Sequence, residues 1–470
     1  MATPLPPGRP GNLTPEQEAK LKELWTATLK VFGVYVEDET SEDNPEAAPS
    51  ISGSQTTEKS KKKRLNPFSR KNKNDQSSES KSGGITTTSD SDDKYGQTKQ
   101  FQAAVANLSP EDLRWAFWSM TKHDNPDALL LRFLRARKWD VEKALVMFIS
   151  TLQWRWKEIH VDDDIMKNGE GSAMSAIKGS DPAMKKEGED FIAQLRMGKS
   201  FLHGVDKEGR PMCIIRVRLH KQGEQSESSL ERYTVYTIET ARLFLVPPVD
   251  TAAIIFDMTG FSLANMDYSP VKFMIKCFEA NYPESLGVVL VHKAPWVFQS
   301  IWNIIKGWLD PVVAGKVHFT KNVEELEKYI PRERIIKELG GDEDWAYQYI
   351  EPKPDEDSQL SDTLTRERLS EERRKLAQDF EKATLTWLSE STKPTTEKSC
   401  QEERSRLTAE LKTNYWQMDP YVRARSIYDR MGMIQSGGQL DFYPGKDKQE
   451  KTLNGTTAAT GTTTSPDDVD

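Results

Sequence analysis

Apolar and polar positions fall into a regular succession of blocks in the middle of this chain. From Thr251 to Thr320 they predict strand, helix, strand, helix, strand at 251–257, 270–282, 286–292, 295–308 and 317–319. The segments Ala252-Ala-Ile-Ile-Phe256 and Gly287-Val-Val-Leu-Val291 lack polar side chains. Such runs suit parallel strands covered on both faces. Upstream, 200–204 and 211–217 read as paired strands around the turn Asp206-Lys-Glu-Gly209. Residues 226–246 read as a helix with apolar Leu230, Tyr233, Ile238 and Leu243, ended by Pro247-Pro248.

The helix predicted over 295–308 has more apolar surface than a surface helix needs. From Val297 to Leu309 only Gln299, Ser300, Asn303, Lys306 and Gly307 form a polar strip. An ordinary surface helix buries an arc of roughly 100°. Trp296, Phe298, Trp302 and Trp308 add bulk. Core, ligand and membrane are all surroundings that satisfy such a helix.

Helical periodicity dominates the flanks. Thr14-Pro15-Glu16-Gln17 supplies a cap, a proline at the first helical position and a capping-box glutamine. Leu21, Leu24, Trp25, Leu29 and Phe32 follow on one face and Gly33 stops the helix, so 1–35 is a short helical unit. It is too short to stand alone and is expected to dock on the main domain or on a partner. Residues 36–98 are rich in Ser, Thr, Lys, Asp and Gly, the composition of a disordered linker. This linker holds the basic run Lys59-Ser-Lys-Lys-Lys-Arg64 with Arg70, Lys71 and Lys73. A solvated charge run, a polybasic contact to anionic lipid and a nuclear address are all open for it. Residues 99–198 are helical: Ser109 starts one helix, Asp127 is the expected cap of a helix over 128–138, and Asp140 caps a third. Asn322 caps a helix to Tyr329, and the domain over 199–351 closes after Leu339-Gly-Gly341. Beyond it, 352–445 reads as charged helices without a clean heptad, and 446–470 as a disordered tail.

Composition narrows the classes. The 470 residues carry 36% hydrophobic and 29% charged side chains, with a net charge of −8. An acidic chain argues against general nucleic-acid binding. Cys213, Cys277 and Cys400 are too few and too far apart for a disulfide framework or a cysteine metal site. No signal-peptide pattern, membrane-length apolar run or C-terminal lipidation box is present, so a cytoplasmic protein is expected.

Chemical signatures are sparse. Asp257-Met-Thr-Gly260 resembles a nucleotide-hydrolase fragment, but Gly315-Lys316-Val317 lacks the rest of a phosphate loop, and Asp257 reads as a turn cap. No G-x-G-x-x-G follows a strand. Gly260-Phe-Ser262-Leu-Ala264 is not a complete nucleophile elbow. His160 beside Asp162-Asp-Asp164 fixes no coordination set, and His292 at a strand end reads as a satisfied histidine. The expectation is no catalytic residue and no metal: a fold that holds something.

Four motifs carry a family resemblance. Leu130-Leu-Arg-Phe-Leu-Arg-Ala-Arg-Lys-Trp-Asp140 and Gly204-Val-Asp-Lys-Glu-Gly-Arg-Pro211 come first, followed by Tyr282-Pro-Glu-Ser-Leu-Gly287 and Leu309-Asp-Pro-Val-Val-Ala-Gly-Lys316. In that order, over about 108–351, they resemble the CRAL-TRIO lipid-binding module, and among its members the fungal phosphatidylinositol transfer proteins. The resemblance implies an α/β fold: an N-terminal helical bundle beside a mixed five- or six-stranded sheet, with a lipid cavity shut by a gate helix. That helix is 295–308, continuing into 310–316. It also implies head-group binding by Arg137, Lys138, Glu284 and Lys316, where cations pair with a phosphodiester and a carboxylate accepts inositol hydroxyls. Ala252, Ile254, Trp296, Phe298, Trp302, Ile305, Trp308 and Val313 are the expected cavity and gate positions. Ala252 and Ile254 stand where relatives that also carry phosphatidylcholine have Ser and Thr. A drier cavity follows, and a second apolar lipid as exchange partner. Ser285 and Val313 replace a common Arg and Thr, altering the expected head-group affinity.

The implied protein is a non-enzymatic carrier with no cofactor beyond its bound phospholipid. It moves phosphatidylinositol between membranes or presents it to a lipid kinase, touching endosome, endoplasmic reticulum or lipid droplet transiently. The rival is a lipid-sensing scaffold with a stably bound lipid and a partner on the C-terminal helices.

Overall fold

The computed structural model describes residues 5–34, 93–389 and 394–444. The basic cluster and the 446–470 tail lie outside them. In chain order the helices are α1 (Pro15–Val31), α2 (Gln97–Asn107), α3 (Pro110–Thr121), α4 (Pro126–Ala136), α5 (Val141–Gln153), α6 (Met166–Lys178) and α7 (Pro182–Arg196). They continue as α8 (Glu227–Leu243), α9 (Tyr268–Lys276), α10 (Phe298–Lys306), α11 (Pro311–Gly315), α12 (Val323–Leu326), α13 (Thr363–Ser389), α14 (Pro394–Val422) and α15 (Ile427–Arg430). The strands are β1 (Ser200–Val205), β2 (Pro211–Arg216), β3 (Ala252–Asp257), β4 (Leu286–His292) and β5 (Val317–Thr320).

The sheet has five strands in the order β1-β2-β3-β4-β5. β1 and β2 are antiparallel and the remaining neighbours are parallel. Both long apolar runs lie in its interior, as their composition requires. Alternation then divides the faces. Ala253, Ile255, Val288 and Leu290 pack against Leu326, Ile330, Ile336 and Leu339. Ile254, Phe256, Val289 and Val291 point to the opposite face, where the cavity lies. The outer edge of β1 is not left open: the hydroxyls of Tyr428 and Tyr443 accept from the amides of Leu202 and Val205 at 2.9 and 3.0 Å.

The bundle core joins distant parts of the chain. Trp25 of α1 meets Phe117 of α3 and Phe380 of α13, each with ring centroids 5.8 Å apart. Leu407 and Leu411 of α14 complete the same core. Glu381 accepts from Trp118 Nε1 at 2.8 Å and Arg114 Nε at 2.9 Å. Pairings of Leu369 with Asn414 and Thr384 with Arg404 make α13 and α14 antiparallel.

The expected capping box is present at Thr14, and Ser109 starts α3 with a second one. Asp140 caps α5. The cap of α4 is different from the expected one: Asn125, not Asp127, accepts from the first amides, with Pro126 opening the helix. Asp127 is occupied instead by Trp25 Nε1 at 2.7 Å and Arg404 Nη2 at 2.6 Å. The apolar helix is also shorter than 295–308. It starts at Phe298 and ends at Lys306, with Gly307 as its C-cap. Asp310 then caps α11 as a separate element by accepting from the Val312 amide. A residue before proline resists helical geometry, which is why the two do not fuse.

Candidate functional site

A cavity lies on the Ile254–Val289 face of the sheet. α8 and α9 wall it with Leu230, Tyr233, Met274 and Ile275. α10 roofs it with Phe298, Trp302 and Ile305, and Val313 of α11 adds to the lining. An adjoining chamber reaches toward the bundle between Leu129, Phe133, Ala252 and Ser285. Cys213, Ile254, Phe278 and Leu286 line both. The interior is therefore a two-part, mostly apolar space.

α10 is two-faced. Phe298, Ile301 and Ile305 are buried, whereas Gln299, Ser300, Asn303 and Lys306 are exposed. The polar strip legible in sequence is thus the outer face. Apolar side chains lie outside too: Trp296 is 90% exposed, with Ile304, Val312 and Leu263 also in solvent. Trp296 precedes α10 and does not line the cavity. Trp308 follows it and stacks edge-on against Tyr268 at 5.3 Å, beneath the Lys272 ammonium at 4.8 Å.

Of the four residues matched to a head-group cluster, two meet. Lys316 Nζ is 3.9 Å from the Glu284 carboxylate, each side chain about one-quarter exposed at 23% and 24%. Their neighbours Ser285 and Val317 line the two chambers, so the pair stands beside the cavity wall. Glu284 is held at a left-handed φ of 55°. Its carbonyl accepts from Arg132 Nη1 at 2.7 Å, and Arg132 reaches the Asp250 carbonyl with its other arm at 2.5 Å. Arg137 follows α4 and donates to Gln97 Oε1 at 2.6 Å; Gln97 donates in turn to the Ala280 carbonyl at 3.0 Å. Lys138 is exposed. Thus α4 delivers its basic end to the 280–284 segment through Arg132 and Gln97, the contacts sequence reasoning missed. Arg132 lies inside the quoted motif, but its role as a backbone clamp has no sequence signal.

A buried charge network supports this junction. Burial alone raises the Glu239 carboxyl, but Arg155, Lys122 and Arg242 around it hold it well below the usual carboxylate range. Arg155 Nη1 and Lys122 Nζ each reach Glu239 at 2.5 Å. Residues considered for chemistry in the sequence have structural partners. Asp257 accepts from the Thr259 amide at 3.0 Å and from Arg218 at 2.6 Å. His292 is buried, with Nδ1 3.0 Å from Thr320 Oγ1. His160 faces Asp163 at 3.0 Å on the surface. Among the described residues no cluster of His, Cys, Asp and Glu could hold a metal, and no helix is long and apolar enough to cross a membrane.

Comparison with known proteins places this geometry. A CRAL-TRIO domain-containing protein of Schizosaccharomyces pombe is 42% identical over 427 residues, 91% of this chain and 92% of that protein. The chain belongs to the CRAL-TRIO family. The CRAL/TRIO domain matches residues 195–341, and the CRAL/TRIO N-terminal domain matches 97–150. Phosphatidylinositol transfer protein CSR1 of Eremothecium gossypii is 40% identical over 442 residues, 91% of this chain and 98% of that one. Sec14 cytosolic factor of S. pombe is 30% identical over 232 residues, covering 46% of this chain and 74% of its own. The first two alignments extend well beyond the matched CRAL-TRIO segments.

Proposed function

We propose that this CRAL-TRIO protein carries phosphatidylinositol between membranes without chemical change. The observation that bears most weight is the two-part apolar cavity with the Glu284–Lys316 pair beside its wall. The similarity to a protein named as a phosphatidylinositol transfer protein supports the same reading. Two acyl chains hold about 30 methylenes, and exposing them to water costs on the order of 25 kcal/mol at roughly 0.8 each. A closed cavity removes that cost during transit. Lys316, Arg137 and Lys138 supply cations for the phosphodiester, and Glu284 accepts from inositol hydroxyls. α10 acts as the gate. Its exposed neighbours Trp296, Ile304 and Val312 dip into the bilayer interface while Lys306 meets lipid phosphates. Peripheral, transient membrane contact from the cytoplasm follows, with delivery to an acceptor membrane or a lipid kinase.

The test is transfer of labelled phosphatidylinositol between donor and acceptor vesicles. Glu284→Lys and Lys316→Ala each remove a charge-assisted contact worth roughly 1.5–3 kcal/mol, so transfer should fall about 10- to 100-fold. Wild-type rates in both variants refute the assigned head-group pocket. Failure of the unaltered protein to extract the lipid refutes the carrier reading.

A further inference from the structure

A separate groove lies between the bundle and the C-terminal helices, and it shares no lining residue with the two chambers at the sheet. α13 contributes Arg366, Ser370, Arg373 and Arg374, which fall on one helical face at the spacing i, i+4, i+7 and i+8. α3, the segment 162–167 and α14 form the other walls. Six cations line the groove, Lys122, Lys167, Arg366, Arg373, Arg374 and Arg423, against two carboxylates, Asp162 and Asp163.

Three of the cations are neutralised within the fold. Lys122 Nζ pairs with Glu239 and Asp162 at 2.5 and 2.9 Å, and Asp162 is shared with Arg155. Arg423 holds Asp419 and Asp429 at 2.7 and 2.8 Å, and Arg374 pairs with Glu371 at 2.9 Å. Arg373, Arg366 and Lys167 have no carboxylate partner among the described residues. Arg373 is only 6% exposed, yet all its bonds go to backbone carbonyls. Its Nη2 donates to Trp118 and Lys122 at 3.1 and 2.8 Å, and Nη1 to Leu411 at 3.2 Å. Two of its five N–H groups therefore lack a protein acceptor. A cation this buried is ordinarily paired. Burial pushes its pKa from 12.5 down to about 10, with only Tyr415 opposing. Arg366 donates to the Leu360 carbonyl alone, at 3.0 Å. Asp163 sits 3.0 Å from the His160 ring and is the one lining carboxylate without a lysine or arginine. Three unpaired cations thus face one such carboxylate, an excess of two positive charges.

We infer that this groove binds a small soluble phosphate monoester, held by Arg373, Arg366 and Lys167. A monoester spreads close to two negative charges over three adjacent oxygens, which matches both the excess charge and the number of free cations. A diester carries half that charge on two oxygens. The seven residues from Arg366 to Arg373 rise about 10 Å along α13, a span that two converging arginine side chains close over Ser370. Glu367, Glu371 and Glu372 are exposed on the same helix and repel an anionic bilayer, which favours a soluble ester over a lipid head group. A bound ester ties α13 to the segment 162–167 and so locks the C-terminal helices onto the bundle.

Calorimetric titration of the full-length protein with methyl phosphate and dimethyl phosphate, at fixed ionic strength, tests it. The unaltered protein should bind the monoester about tenfold more tightly than the diester, equivalent to about 1.4 kcal/mol. Arg373 also joins α3 to α14, so the half-buried positions carry the test. Lys167→Gln and Arg366→Gln should each weaken methyl phosphate about tenfold and leave dimethyl phosphate unchanged. No binding of methyl phosphate, equal affinity for the two esters, or unchanged affinity in both variants overturns the inference. Vesicles of phosphatidylcholine with phosphatidic acid form a second arm. Co-sedimentation that is indifferent to both substitutions leaves the soluble assignment standing. Co-sedimentation that both substitutions abolish gives the phosphate to a lipid and overturns it.

Discussion

The Glu279 carboxylate accepts from the Asp310 backbone amide at 2.6 Å, tying the π-helical turn after α9 to the start of α11. Lys94 Nζ and Tyr95 Oη donate to the same carboxylate at 2.8 and 2.7 Å, and Lys94 also donates to the Trp308 carbonyl. The Glu279 side chain is nearly buried, whereas Lys94 reaches it from solvent. The segment before α2 therefore straps the connection between α10 and α11.

Glu279→Gln keeps the shape but removes the charge. Losing about 1.5 kcal/mol of latch strength should speed lipid exchange roughly tenfold. Stopped-flow transfer of a quenched phosphatidylinositol would read it. An unchanged rate at unchanged melting temperature would show that α10 opens without disturbing this contact.

His123 makes the bundle sensitive to acid. Burial pushes its pKa from 6.5 down to about 4, with Arg242, Lys122 and Lys412 adding to the effect against Asp124. Its ring lies between α3 and α14, with centroids 5.6 Å from Tyr415 and 5.2 Å from Trp416. The unfolded chain binds the extra proton first, so this contribution is present above about pH 6.5 and is lost as pH falls toward 4. The loss totals on the order of 3 kcal/mol. Urea unfolding at pH 7 and pH 4.5 should show it, and His123→Leu should flatten the slope.

Cys213 reports on the cavity. Its thiol lines both chambers, and burial raises its pKa to about 12. The thiolate fraction is then roughly 10³ lower than for an ordinary cysteine, and alkylation is correspondingly slow. Bound lipid should slow it further, and vesicles that draw α10 open should accelerate it. Mass spectrometry of iodoacetamide-treated protein distinguishes Cys213 from buried Cys277 and Cys400. Equal protection with and without lipid would place the lipid elsewhere.

Trp296 separates docking from holding. It lies outside the cavity lining and is almost fully exposed, so Trp296→Ala should leave a loaded protein loaded. Vesicle affinity should fall by about 1.5–3 kcal/mol, the burial energy of a large apolar side chain. Co-sedimentation measures the affinity. Equal affinity would assign docking to other surfaces.

The strands were legible because both faces of β3 and β4 are covered. Continuous apolarity could not say which face meets a packed layer and which a cavity, since Ala253 and Ile255 are as apolar as Ile254 and Phe256. The box at Thr14 and the helix start at Ser109 were legible because capping is local. Asp127 misled because its partners, Trp25 and Arg404, lie 102 and 277 residues away. The nearness of Glu284 to Lys316 was reached only through family resemblance.

The shared core of α1, α3 and α13 sets an order on biosynthesis. Arg114 must wait 267 residues for Glu381. At roughly 5–20 residues per second, that interval is on the order of tens of seconds on the ribosome. Until α13 emerges, Trp25, Phe117 and Trp118 lack the layer that covers them. The nascent chain thus keeps this apolar surface uncovered for that interval, and truncations that spare the whole CRAL-TRIO segment but remove α13 should still fail to accumulate.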